Sequence, residues 1–372
     1  MKRILLLTAG FGEGHNSAAR GLRAGLARVS NGSAQVELHD LFSDTYGRPN
    51  DWACKLYLGL INQSPATWGR VYRWLDRQQN FTGDFKIFWS VKKQFRALLH
   101  RFQPDVIVSV YPAYPHMLDE WLGPVSAHGP KRVVVITDSL SVNAIWYRCS
   151  ADYFLLPNEG SAAVLHRAGI REEQTRTFGF PVSPEFCDAA GFRPPPDETN
   201  GRRVLYLVSA ASSSSSDLVQ RLAFLPEIQL TVALGRNQRL RREIEEIRGL
   251  LRRPFQTVGW SEELPRLLRA THILISKAGG ATMQEAIAAA CPMVVNHVIP
   301  GQEEGNARYL LQENCGAVAT GNAAVVAAVQ SAFAQDAAQW HEWSRNIQRI
   351  SRPAASLDAA RFLLSLARIF HH

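Results

Sequence analysis

The chain has 372 residues, 46% hydrophobic, 9% aromatic and 20% charged, with 41 Lys and Arg against 33 Asp and Glu for a net charge of +8. Ordinary hydrophobicity excludes a disordered chain, and at roughly 150 residues per domain the length predicts two domains whose cores need no disulfide or metal staple. The five cysteines, Cys54, Cys149, Cys187, Cys291 and Cys315, are scattered without a CxxC pair or metal-ligand spacing, which excludes a secreted disulfide scaffold and reads as cytosolic usage.

In chain order, strands are predicted at 4–8, 35–38, 106–110, 133–137 and 153–156, with helices at 17–29, from 56 onward, at 84–99 and at 161–168. The first apolar run breaks at Gly10, Gly12 and Gly14, so it reads as a buried strand and not as a signal sequence. No stretch reaches the 18 or so apolar residues of a membrane-spanning helix. Residues 181–200, rich in Pro and polar groups, read as a linker. A second series follows: strands at 203–208, 229–234, 257–259, 272–276 and 292–296, and helices at 217–224, 238–250, 263–269, 282–289, 304–312 and 323–334. Amphipathic helices are predicted at 337–349 and 354–369. Apolar strands without clean alternation, separated by helices, indicate parallel sheets covered on both faces. The expected organisation is thus an α/β chain with an N-terminal domain (1–180), a linker (181–200), a C-terminal domain (201–336) and terminal helices (337–372) open to packing on either domain, including back on the first. Ligands of such sheets sit beyond the C-terminal strand ends, so two such domains are expected to face one another across a cleft.

Three segments carry the chemistry. The first strand runs into Gly10-Phe11-Gly12-Glu13-Gly14-His15-Asn16-Ser17, where Gly12 and Gly14 permit a tight turn and close approach of a ligand. It is neither a GxGxxG fingerprint nor a GKS/GKT phosphate loop. His15, just ahead of the predicted helix, reads either as a capping or packing histidine or as a general base at the cleft mouth. The second segment is Ser276-Lys277-Ala278-Gly279-Gly280-Ala281-Thr282-Met283-Gln284-Glu285. A strand passes through two glycines into a helix beginning near Thr282, and the free N–H groups there suit a diphosphate, with Glu285 placed to accept from a ribose hydroxyl. Its bland alternative is a capping box from Thr282 to Glu285. The third, Pro300-Gly301-Gln302-Glu303-Glu304-Gly305-Asn306, sets four amide or carboxylate side chains within five positions, either for a hydroxyl-rich sugar or as a solvated turn.

Together these segments resemble the diacylglycerol sugar transferases, that is, the processive diacylglycerol glucosyltransferases and monogalactosyldiacylglycerol synthases, which are relatives of the peptidoglycan N-acetylglucosaminyltransferase acting on lipid I. Further matching segments are Tyr111-Pro112, Thr137-Asp138 with Trp146, Gly235-Arg236-Asn237 and Gly259-Trp260. The resemblance implies a GT-B glycosyltransferase of two Rossmann-like domains, inverting and metal-independent, with no cofactor beyond its UDP-sugar donor. It implies transfer of a hexose, glucose or galactose, to diacylglycerol or a similar lipid alcohol. His15 would deprotonate the acceptor hydroxyl or otherwise position it, and Asp138 would orient His15 or the acceptor, its alternative being a buried polar cap. The uracil would lie near Gly259 and Trp260; the diphosphate on Gly279, Gly280 and Thr282; the ribose on Glu285; and the sugar hydroxyls near Gln302 and Glu303, with Asn237, Lys277 and Asn306 also in the donor-binding set. Two departures stand out. Ser209–Asp217 replaces a glycine-rich loop, so the hydroxyls of Ser212 and Ser213 take the phosphate role, and Asn143 stands where relatives often carry a histidine.

Between residues 70 and 101, eight Lys and Arg face two Asp, interleaved with aromatics such as Trp74, Phe85 and Trp89. This pattern suits contact with an anionic membrane, here the inner face of the cell membrane, or else a core-facing aromatic stripe with solvated charges. No RNP or KH pattern accompanies it, so no nucleic-acid partner is expected. The alternatives carried alongside are another lipid or soluble acceptor, a UDP-sugar epimerase, and a sugar-nucleotide-binding module without turnover.

Overall fold

The computed structural model describes residues 1–10, 13–47, 89–140, 142–188, 195–196, 201–208, 214–235, 238–250, 255–259, 263–300 and 303–367. The chain divides into two compact units, one of Met1–Pro184 with Pro300–Gly305 and Ala354–His372, the other of Glu185–Ile299 with Asn306–Pro353.

The first unit is built on six parallel strands: β1 (Lys2–Leu7), β2 (Ala34–His39), β3 (Val106–Ser109), β4 (Lys131–Val135), β5 (Tyr153–Leu155) and β6 (Thr175–Arg176). Their order is β2-β1-β3-β4-β5-β6. The Ile-Leu-Val runs of β1, β3 and β4 are buried on both faces, as an inner parallel strand requires. The second unit repeats the plan with β7 (Arg202–Leu207), β8 (Ile228–Ala233), β9 (Gln256–Val258), β10 (Ile273–Lys277), β11 (Met293–His297) and β12 (Gly316–Val318) in the order β12-β11-β10-β7-β8-β9, the order of a dinucleotide-binding sheet. Two Rossmann-like sheets of this kind are those of the GT-B fold. The strand order reverses between β1 and β3 in one sheet and between β7 and β10 in the other, which marks the two places where ligands of such sheets bind.

The sequence reading differs from the structure in three instructive places. The first long helix spans Glu13–Ser30, so His15 lies inside its first turn and not ahead of it. The helix after β10 spans Gly280–Ala288 with Gly279 as its N-cap, so Thr282 does not cap it and the capping-box alternative falls. Strands β6 and β12, of two and three residues, went unpredicted. The break expected near 334–337 is present: Gln335, Asp336 and Ala337 take φ of 51°, 55° and 56° and interrupt the Asn322–Ile350 helix. No helix among the described residues is long and apolar enough to cross a membrane.

Close packing of the Glu13–Ser30 helix fixes the first turn that carries His15. A Cβ on Gly21 would lie 1.9 Å from the Pro181 carbonyl oxygen, and one on Gly25 2.5 Å from that of Ser356. Gly25 thereby admits the Ala355–Leu366 helix, which Phe362 also anchors through an edge contact with Tyr153 and the guanidinium of Arg176. Both neighbours at the glycines are backbone and cannot swing aside. Gly21→Ala is therefore expected to lower stability by about 1–3 kcal/mol, read as a fall in the urea midpoint; an unchanged midpoint would show that the helix can shift freely.

Candidate active site

The loop leaving β1 is fixed from both sides. Asp40 accepts from the Gly10 amide through Oδ2 (2.8 Å), while its Oδ1 caps the Leu41–Tyr46 helix at the amides of Phe42 and Ser43. Thr8 Oγ1 donates to Asn16 Oδ1 at 2.9 Å. Tyr114, fully buried, donates to the Thr8 carbonyl (2.9 Å) and accepts from the Leu41 amide (3.0 Å). Burial holds the Tyr114 phenol well above its usual range, so it stays a donor.

Because β1, β3 and β4 are neighbours, residues distant in sequence meet beyond their C-terminal ends around His15. Tyr111, two residues past β3, presents its ring edge-on at 5.2 Å, and Trp146 lies tilted at 5.7 Å. Thr137, two residues past β4, places Oγ1 3.3 Å from His15 Nδ1. Asp138 accepts from the Trp146 indole N–H through Oδ2 at 2.9 Å. The short turn carrying Trp146 is capped by Asn143, which accepts from the Ile145 amide, and His116 contacts the Ile145 carbonyl at 2.7 Å. The residue that departs from the expected histidine thus has a structural task of its own.

Desolvation dominates the electrostatics of His15 and pushes its pKa from 6.5 down to about 4, opposed by a hydrogen bond to the backbone of Val110. The imidazole is therefore neutral at physiological pH, able to accept a proton but only weakly basic.

In the second unit the Lys277-Ala278-Gly279-Gly280 turn leaves β10 at a register shift, with Lys277 paired to His297. Ala278, fully buried, donates its amide to the His297 carbonyl (3.0 Å), and its own carbonyl accepts from Asn306 Nδ2 (2.9 Å). The Gly280–Ala288 helix begins with no side-chain cap, and its first intrahelical bond, Met283 N–H to the Gly279 carbonyl, leaves the amides of Gly280, Ala281 and Thr282 outside the helical ladder. Glu285, half-buried, follows in the next turn.

The structure thus gathers Lys277, Gly279, Gly280, Thr282, Glu285 and Asn306 around the end of β10. Gly259 follows β9, three strand spacings away, roughly 14 Å. Glu303 is only 4% exposed, and Gly14 lies one residue before His15 in the first helical turn. Gly12, Ser212, Ser213, Asn237, Trp260 and Gln302 lie outside the described residues. Asn306, 6% exposed, is spent on the backbone of the glycine turn, a supporting contact that its sugar-binding reading did not foresee. The collar of Tyr111, Thr137 and Trp146 was visible in sequence only as matching segments without a role. What unites them is strand order, which a single sequence does not display. Among the described residues no group of three or more His, Cys, Asp or Glu stands ready to hold a metal ion. Of the basic segment, the described part begins at Trp89, 65% exposed, with Lys93 Nζ 5.6 Å from the centroid of its ring.

Residues 15–182 match the monogalactosyldiacylglycerol (MGDG) synthase family, beginning at the histidine just described. Along nearly its whole length the chain is 26% identical to a probable chloroplastic monogalactosyldiacylglycerol synthase of Glycine max, covering 99% of this chain and 72% of that protein. The chain has the GT-B fold and is similar in sequence to the monogalactosyldiacylglycerol synthases. It is also 24% identical to the processive diacylglycerol beta-glucosyltransferase of Bacillus subtilis, over 93% of this chain and 91% of that one. Similar solved structures include MurG of Acinetobacter baumannii (TM-score 0.63, 12% identity, 98% of this chain and 100% of that one) and MnaA of S. aureus with UDP (0.64, 11%, 98% of each). At such identities these two speak to the fold alone.

His15 is expected to titrate near 4 when followed by side-chain NMR; a midpoint between 6 and 7 would contradict its desolvated setting. The linkage sign follows. The unfolded ring, at about 6.5, takes up its proton first, so the ring's contribution to stability is complete above that pH and is lost as pH falls toward 4.

Proposed function

We propose that this protein transfers a hexose, glucose or galactose, from a UDP-sugar to diacylglycerol or a similar lipid alcohol, with inversion and without a metal. The observation that carries the reading is end-to-end similarity to enzymes named for this chemistry, a diacylglycerol glucosyltransferase among them at 93% of this chain and 91% of its own length. The site chemistry agrees with it. A neutral imidazole ringed by Tyr111 and Trp146 suits the hydroxyl of an apolar acceptor, which needs a base in a largely dry setting. On this reading the first-turn amides of Gly280, Ala281 and Thr282 meet the diphosphate, and their partial positive charge stabilises the leaving UDP as a metal does elsewhere. Glu285 then takes the ribose, and Gly259 with Trp260 the uracil. Gln302 and Glu303 receive the sugar. Lys277, Asn237, Ser212 and Ser213 complete the donor set, and Gly12 and Gly14 line the approach to His15. Asn306 acts behind them by fixing the Ala278 carbonyl. Asp138 serves His15 through the Trp146 ring.

His15→Ala is expected to cut transfer by roughly 10²- to 10⁴-fold and to leave UDP affinity nearly intact, measured with UDP-glucose and UDP-galactose against lipid and soluble acceptors. Transfer at the wild-type rate sinks the base assignment, and preference for a soluble acceptor sinks the lipid reading. Asn306→Ala should do the reverse, weakening UDP binding by roughly ten-fold because a buried carbonyl loses its donor.

The basic segment ending at Arg101 is read as a contact with an anionic membrane surface. The exposed Trp89 beside Lys93 supports this, as a ring and a cation together suit the headgroup region. Co-sedimentation with phosphatidylglycerol-containing liposomes is expected to fall when salt is raised or when Lys92 and Lys93 are neutralised. Salt-insensitive binding, or none, is the contrary result.

A further inference from the structure

Two aromatic neighbours set the plane of the His15 ring but not its sense. Rotation by a half-turn about the Cβ–Cγ bond exchanges each nitrogen for a carbon at almost the same place. Tyr111 at 5.2 Å and Trp146 at 5.7 Å make ring contacts that either sense satisfies. A base whose lone pair faces the wrong way is useless, so the site needs polar contacts that distinguish nitrogen from carbon, and the ring has two: the backbone of Val110 and the hydroxyl of Thr137.

The geometry points to Thr137 as the side chain that positions His15: its hydroxyl, 3.3 Å from Nδ1, joins the Val110 backbone in selecting one of the two ring senses and keeps the imidazole aimed at the acceptor. This deepens the proposed function and rests on His15 being the base. Thr137 is well suited to the task. It is 6% exposed, it follows a residue whose amide is bonded to the Leu155 carbonyl at 2.9 Å, and its β-branched side chain has few rotamers. A hydroxyl both donates and accepts, so it holds Nδ1 whether or not that nitrogen carries a proton. A carboxylate in the same place would favour the charged ring and raise its pKa, whereas the ring here is held low by burial. The adjacent Asp138 instead binds the indole of Trp146, the ring that flanks the imidazole. Adjacent residues of one loop thus act at different levels: Thr137 on the sense of the imidazole, and Asp138 on the wall beside it.

The test compares Thr137→Val, which keeps the shape and loses the hydroxyl, with Thr137→Ser, which keeps the hydroxyl. Kinetics use whichever of UDP-glucose and UDP-galactose the wild-type protein turns over, with dioleoylglycerol in mixed micelles. T137V is expected to lower kcat by roughly 10- to 100-fold with KM for both substrates changed by less than about two-fold, and T137S to restore most of the rate. Combined with H15A, T137V should cost nothing further, because both changes remove one function. In the free protein, the side-chain ¹⁵N resonances of His15 should move in T137V and stay in T137S. Unmoved resonances in T137V, or equal impairment of T137V and T137S, overturn the proposal. Wild-type transfer by H15A would instead overturn the base reading, while the ¹⁵N comparison, which needs no turnover, still decides whether Thr137 orients the ring.

Discussion

A parallel sheet covered on both faces has no free surface of its own, and this constraint shapes everything else in the molecule. Inner strands such as Val106–Ser109 are buried throughout, so side chains that must meet substrate have to stand on the loops beyond the strand ends. Where the strand order reverses, neighbouring loops turn to opposite faces and leave a crevice. Both sheets place their most distinctive residues there: the glycine loop and His15 after β1, with Tyr111 after β3, and the glycine turn with its uncapped helix after β10.

On the proposed function, the two crevices meet opposite electrostatic demands. The one around β1 is poor in charge: burial keeps the imidazole neutral, and its neighbours are rings and a hydroxyl. A proton acceptor that carries no charge does not repel or trap a neutral alcohol. The one around β10 offers backbone dipoles fixed in direction by the hydrogen bonds of Ala278, and such dipoles need no reorganisation when negative charge develops.

Much of this was legible in the sequence, for identifiable reasons. Runs such as Val133–Val135 and Ile273–Ile275 announce buried strands by composition alone, and Gly279-Gly280 between a strand and a helix announces a close approach of backbone to ligand. Local signals failed where local competition was even. Asn16 and Ser17 are good caps, yet the helix extends past them to Glu13, because Asn16 finds its partner in Thr8 instead. Thr282 likewise has a capping side chain, but Gly279 ends the extended backbone three residues earlier. The collar around His15 was beyond reach for another reason. Residues 15, 111, 137 and 146 are brought together by the order β1-β3-β4, a property of pairing across about 130 residues that no window of sequence contains.

The contact between Gly25 and Ser356 has a consequence for biosynthesis. The Glu13–Ser30 helix leaves the ribosome more than 300 residues before the Ala355–Leu366 helix that covers it. Lys2, on the first strand, also donates to the carbonyl of Leu364. The unit synthesised first therefore waits, with an apolar helix face open, until the entire second unit has emerged. Any chain cut short before residue 355 has a His15 helix that lacks its cover.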